Sequence, residues 1–169
     1  GGLHHDGLMD TADGVAAGEE RRLAAMDDSR VGASGVLALA VVLLLEIAAL
    51  LQLGPAAPEA LVLAGFWARV APLWAMAQFD YIRTDGTAAF HRWHGRPAWD
   101  VLPILPGVVL LAVCGVQPLA LLLGAAVAVL VADCLGRRLG GHTGDSYGAS
   151  LVLSEAITLL LLAGLLGTS

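Results

Sequence analysis

The chain has 169 residues, 57% hydrophobic and only 14% charged, with a mean hydropathy of +0.77 and a net charge of −6. A soluble domain is about 45–50% apolar and about 25% charged, so this composition excludes an ordinary soluble globule and fits one membrane domain of 1–169. The acidic balance also excludes nucleic acid as a partner, whose phosphates need a basic surface.

In chain order, the first feature is an acidic motif, His4-His5-Asp6-Gly7-Leu8-Met9-Asp10-Thr11-Ala12-Asp13-Gly14. Asp6, Asp10 and Asp13 fall at i, i+4 and i+7, one stripe of a helix. Carboxylates so placed repel unless a cation sits among them, and hard oxygen donors suit Mg²⁺, which keeps several waters and bridges substrate phosphates. A solvated acidic face would look the same, but here the acids alternate with Leu8, Met9 and Ala12. Gly7 and Gly14 lower helix propensity while allowing close approach to the backbone. His4 and His5 suit a ligand, a base or a surface position, and spacing does not choose. A polar segment with Arg21, Arg22, Asp28, Ser29 and Arg30 follows. Its arginines suit either phosphoryl oxygens or lipid headgroups.

Five apolar runs come next: Gly35 to Leu53, Ala60 to Phe79, Val101 to Val116, Pro118 to Leu135 and Ala149 to Leu166. A crossing helix needs about 20 residues. Four runs qualify, and the third is short enough for a tilted or partly re-entrant helix. None alternates with period two, as a β-barrel strand would. The expected fold is therefore an all-α, polytopic membrane bundle of about five transmembrane helices. Residues 1–34 form a cytoplasmic motif segment, and 35–169 form the bundle with cytoplasmic loops 80–100 and 136–148.

Lys and Arg together number nine, and all are arginine. Arg21, Arg22, Arg30, Arg83, Arg92, Arg96, Arg137 and Arg138 lie in 1–34 and the two longer loops; the turns at Gly54 to Pro58 and Gly115 to Pro118 hold none. The positive-inside rule places the arginine-bearing segments at the cytoplasm, where all three can converge on one site. The glycine-rich loop Gly140 to Gly148 lacks a P-loop ending, and serves equally as a simple turn. Within it, Asp145 could add a carboxylate or accept from a sugar hydroxyl. Charges inside the runs cost about 3 kcal/mol at mid-bilayer. Arg69 and Glu155 therefore suit pairing or substrate roles, Asp133 an interfacial position, and Glu46 and Arg69 also a carrier. Cys114 and Cys134 have no metal-ligand spacing and suit buried packing. Phe66, Trp67, Trp74, Trp93 and Trp99 suit interfacial belts.

Four ordered stretches resemble cobalamin synthases, the adenosylcobinamide-GDP ribazoletransferases. They are Gly1-Gly2-Leu3-His4-x-Asp6-Gly7-Leu8-x-Asp10-Thr11-x-Asp13-Gly14; Arg21-Arg22-Leu23 with Met26-x-Asp28-Ser29-Arg30-x-Gly32 and Gly35; Arg69 with Tyr81-x-Arg83-x-x-Gly86 and Phe90; and Arg137 with Leu139-Gly140-Gly141-x-Thr143-Gly144-Asp145-x-x-Gly148-Ala149 and Glu155. Asp27 departs from a usually basic position and Val152 from a frequent glutamate; the lysine common near Glu46 is lacking, and His5 matches no family constant. Family members carry membrane helices ahead of the acidic motif, so further helices are expected upstream.

The resemblance implies transfer of a cobinamide-phosphate group from adenosylcobinamide-GDP to α-ribazole or its 5′-phosphate, with GMP leaving. It implies Mg²⁺ on Asp6, Asp10 and Asp13, catalytic work by these aspartates and His4, and phosphate binding by Arg21, Arg22, Arg30, Arg83 and Arg137. It implies substrate contacts from Asp28, Ser29, Arg69, Thr143, Asp145 and Glu155. The implied setting is a cell inner membrane with a cytoplasmic active face, alone, as a homo-oligomer or with other corrinoid-assembly enzymes. A CDP-alcohol phosphatidyltransferase is the rival enzyme, though no Ala-Arg pair follows the Asp-Gly. A transporter is the rival from another class.

Overall fold

The computed structural model describes residues 2–83, 99 and 102–166. Gly86, Phe90, Arg92, Trp93, Arg96 and Val101, and most of the expected 80–100 loop, lie outside the described residues. The chain forms α1 (Leu3–Ala17), α2 (Arg22–Met26), α3 (Ala33–Leu53), α4 (Ala57–Gln78), α5 (Ile104–Val113), α6 (Pro118–Leu139) and α7 (Gly144–Leu166). Among the described residues there is no strand; Tyr81 and His142 form an isolated parallel bridge.

Three helical segments are long and apolar enough to cross a membrane: Ala33–Gln78, Pro118–Leu139 and Gly144–Leu166. The first breaks at Gly54, whose φ of +52° and ψ of −121° suit only glycine. Beyond the break the chain reverses. Val42 packs with Ala149 and Val152, and Gln52 Nε2 donates to the Ala163 carbonyl at 3.1 Å, so α3 runs parallel to α7. Conversely, Ala60 and Leu63 cluster with Leu162 while Ala75 meets Tyr147, so α4 runs antiparallel to α7. The ten residues of α5 span about 15 Å, half the hydrocarbon core. The third apolar run, expected to be short, is thus a half-length helix over its described part.

Small side chains bring the central helices together. Ala64, Ala68, Ala71 and Ala75 of α4 and Ser146, Ser150, Ser154 and Thr158 of α7 are all fully buried. In lipid, helices associate through close packing of such residues. Outward, α3 bears Val36, Leu37, Leu44, Ile47 and Leu51, all more than half exposed. Such a surface is a liability in water and the ordinary one in a bilayer; the chain is a membrane protein.

Two expectations are corrected. Cys114 and Cys134 are exposed rather than buried, because a lipid-facing position satisfies a small apolar side chain as well as a core does. Trp67 is a core residue, 7% exposed and edge-on to Phe66 at 5.2 Å, because Gly124 of α6 clears the space its indole fills.

Candidate active site

The described parts of the polar segments converge as expected. Residues 2–32, 79–83 and 139–145 meet at one end of the bundle, and the turns at Gly54 and Gly115 lie at the other. The loop after α4 is held by Ile82 N–H donating to the His142 carbonyl at 2.9 Å and His142 N–H to the Asp80 carbonyl at 2.8 Å. Gly141, at φ +139°, leaves room for Ile82 and the Asp80 carbonyl. His142 is fully buried, stacks on Tyr147 and meets Phe79 edge-on. Its Nε2 lies 3.1 Å from the Ala132 carbonyl, which only accepts, so Nε2 carries the proton. Burial holds its pKa below the usual histidine range, and the ring stays neutral. This arrangement aims Arg83 at the start of α7.

α1 enters beside α7 because glycines permit it. A Cβ on Gly7 would stand 2.6 Å from the Asp145 carbonyl oxygen, and one on Gly148 would stand 3.1 Å from the His4 Cα. Gly14 likewise makes way for Met26. The glycines expected to admit a phosphate thus admit neighbouring chain. With Leu8 packed on Val42, and Asp13 against the start of α3, α1 runs antiparallel to α3.

The acidic stripe then divides. Asp13 accepts from Gly32 N–H at 2.7 Å and Gly35 N–H at 2.8 Å, one to each oxygen. It caps α3 from 19 residues upstream, taking the place of a side chain that Gly32 lacks. Asp6 and Asp10 instead face Asp145 and Arg83. Burial, then the charges of Asp6 and Asp145, push the Asp10 carboxyl up to about 6, and Arg83 opposes the rise. Arg83 Nη2 is 3.0 Å from Asp145 Oδ2 and 3.1 Å from Asp27 Oδ1. Its Nε and Nη2, and Asp145 Oδ2, nevertheless make no aligned hydrogen bond, so these contacts are ionic rather than directed.

Other expected site residues are spread around this centre. Arg22 Nη1 donates to the Leu139 carbonyl at 3.2 Å, and its Nε is buried without a hydrogen-bond partner. Arg30 and Asp28 pair with each other at 2.8 Å in solvent, and the Arg30 hydrogen bonds hold the Asp28 carboxyl down at about 2. Arg21, Ser29 and His4 are exposed. Thr143 is fully buried: its N–H donates to Ser146 Oγ at 2.8 Å and its Oγ1 accepts from Ser146 N–H at 3.2 Å, a reciprocal cap on α7.

Three residues lie along the helices rather than at the centre. Arg137 pairs with Asp133 at 3.2 Å, and Asp133 also accepts from Trp74 Nε1 at 3.0 Å. Arg69 is exposed and donates to the Gly65 carbonyl at 2.7 Å; it lies about 14 Å below the end of α4. Glu155 is half-buried, about 15 Å along α7 from Asp145, deeper than expected because α7 begins at Gly144.

Among the described residues, no three His, Cys, Asp or Glu side chains converge closely enough to form a metal cage. Mg²⁺, however, is usually held by one or two carboxylates together with substrate phosphates and water. The oxygen donors of Asp6 and Asp10, with the carboxylate of Asp145 near them, fit an ion held in that shared way.

Residues 1–163 match the cobalamin-5-phosphate synthase family. An adenosylcobinamide-GDP ribazoletransferase of Prochlorococcus marinus (strain MIT 9303) is 58% identical over 98% of this chain and 69% of its own length. Proteins of the same name from Thermosynechococcus vestitus and Desulforamulus reducens are 42% and 41% identical, over 95% and 96% of this chain and 66% and 68% of their own lengths. No solved structure matches. With that match over nearly the whole chain, and with the acidic helix, Arg83 and the glycine-rich turn brought together at one end of a membrane bundle, the chain belongs to the cobalamin-5-phosphate synthase family.

Proposed function

We infer that this chain is an adenosylcobinamide-GDP ribazoletransferase, a transferase acting in the last step of nucleotide-loop assembly. A hydroxyl oxygen of α-ribazole, or of its 5′-phosphate, bonds to the cobinamide-bearing phosphorus. The P–O bond to GMP breaks, the hydroxyl proton is released, and adenosylcobalamin or its 5′-phosphate forms. Catalysis of such a transfer is mainly positioning and charge stabilisation.

The observation that carries the assignment of the site is the meeting of Arg83 with Asp145 at 3.0 Å, beside Asp6 and Asp10. In this reading Arg83 binds the pyrophosphate of the donor, and Arg22, with its buried unpartnered Nε, supports it from the α6 end. Arg21, Arg30 and Arg137 line the approach. Asp6 and Asp10 would hold Mg²⁺, which when bound neutralises phosphate charge and stabilises the departing GMP. Asp13 keeps α1 in place through the α3 cap, and Thr143 keeps Asp145 in place through the α7 cap. Asp145 or His4 takes the proton from the attacking hydroxyl. The site opens on the cytoplasmic side, where the arginines cluster.

The test is turnover of adenosylcobinamide-GDP with α-ribazole by the chain in detergent. Asp10→Asn is expected to lower the rate at least about 100-fold, the scale of losing a charge-stabilising group. A near-normal rate in that variant removes Asp10 from the site, and turnover of CDP-diacylglycerol instead would favour the rival enzyme.

A further inference from the structure

Arg83 stands between two carboxylates of unlike character. The Asp145 side chain is 24% exposed and sits in the first turn of α7, its backbone pressed against Gly7. The Asp27 side chain is 64% exposed and closes the five-residue helix α2. Asp145 is therefore a fixed neighbour and Asp27 a solvated one that gives up little by returning to water. Each places one oxygen near Nη2 without an aligned hydrogen bond, and Nε is left with none. A phosphate presents several oxygens in an array that a guanidinium fork binds in pairs.

We propose that Asp27 sets the affinity of the site by standing in for a substrate phosphate: it occupies Arg83 when no substrate is present, and the donor pyrophosphate displaces it. The inference rests on the reading of Arg83 as the phosphate-binding residue. It follows that Asp27 weakens substrate binding twice, by holding the cation that the pyrophosphate needs and by adding negative charge near Asp145.

The test is the affinity of the purified chain in detergent for inorganic pyrophosphate at fixed Mg²⁺, measured by calorimetry. Because an exposed ion pair is worth at most about 1 kcal/mol, Asp27→Asn is expected to tighten binding by roughly threefold to fivefold, and Asp27→Ser to do the same. Arg83→Gln is expected to weaken binding, and adding Asp27→Asn to it to recover much less than the single substitution gains. Unchanged or weaker binding in Asp27→Asn overturns the proposal, because Asp27 would then support Arg83 rather than compete for it. An undiminished gain in the Arg83→Gln background also overturns it, by reducing Asp27 to general repulsion. Normal binding by Arg83→Gln alone would remove Arg83 as the phosphate reader, a failure of the parent reading that the other two results do not produce.

Discussion

At one end of the bundle, α3 passes into α4 through Gly54–Ala56 and α5 into α6 through Gly115 to Gln117. The residues there are mostly apolar, and Ala56, Ala60, Leu63 and Val116 border a cleft of about 250 Å³. At the other end, the pairs Arg83–Asp27 and Arg83–Asp145, the Asp13 cap and the Arg22–Leu139 bond each join segments distant in sequence. The first end is made of local turns that reverse the chain. The second is made of side chains that recruit other segments. The same helices connect the two, so the ends differ in the polar side chains carried there by the short helices α1 and α2, the loop of Arg83 and the first turn of α7.

That contrast can be broken by substitution at either end. The largest effect is expected from Gly7→Val, since even a Cβ there would stand 2.6 Å from the Asp145 carbonyl oxygen. α1 would have to move off α7, and a displacement of about 1 Å at a reacting centre can cost about 100-fold. Turnover should fall on that scale while circular dichroism keeps its helical content; a rate within a few-fold of normal would mean the α1–α7 contact does not set the site.

Asp13→Ala is expected to act next most strongly. Loss of a cap costs about 0.5–2 kcal/mol, here at the amides of Gly32 and Gly35. Hydrogen exchange in the first turn of α3 should quicken, turnover should fall less than for Gly7→Val, and the Mg²⁺ concentration giving half the maximal rate should stay put. A large rise in that concentration would return Asp13 to the metal. The smallest functional effect is expected at the far end. Gly54→Ala, at φ +52° and ψ −121°, should lower stability by roughly 1–3 kcal/mol and leave turnover unchanged in the molecules that remain folded.

Much of this contrast was legible in the residues. Apolar run length and the one-sided distribution of arginine pointed to a helix bundle with its polar segments together, and the i, i+4, i+7 spacing put Asp6, Asp10 and Asp13 on one helix. What spacing could not reveal was that the stripe divides, because the partner of Asp13 is a pair of glycine amides that carry no side chain to read. The same limit hid Thr143 as a buried cap and His142 as the residue pinning the loop of Arg83. Asp27 was visible as an unusual acid, but its proximity to Arg83 depends on a long-range fold. The exposed cysteines and buried Trp67 were missed for another reason: inside and outside are both apolar in a bilayer, so hydrophobicity alone does not orient a helix face.

The contact of Gly7 with Asp145 also has a consequence for biosynthesis. Asp6 and Asp10 leave the ribosome near the start of the described chain, Arg83 midway, and Asp145 only with α7. Synthesis proceeds from the N-terminal side, so the acidic helix must wait while α3, α4 and α6 are made before α7 arrives to receive it. A nascent chain that has not yet reached α7 therefore carries its acids and Arg83 without the α1–α7 contact that gathers them, and this end of the bundle takes its shape only once α7 is in place.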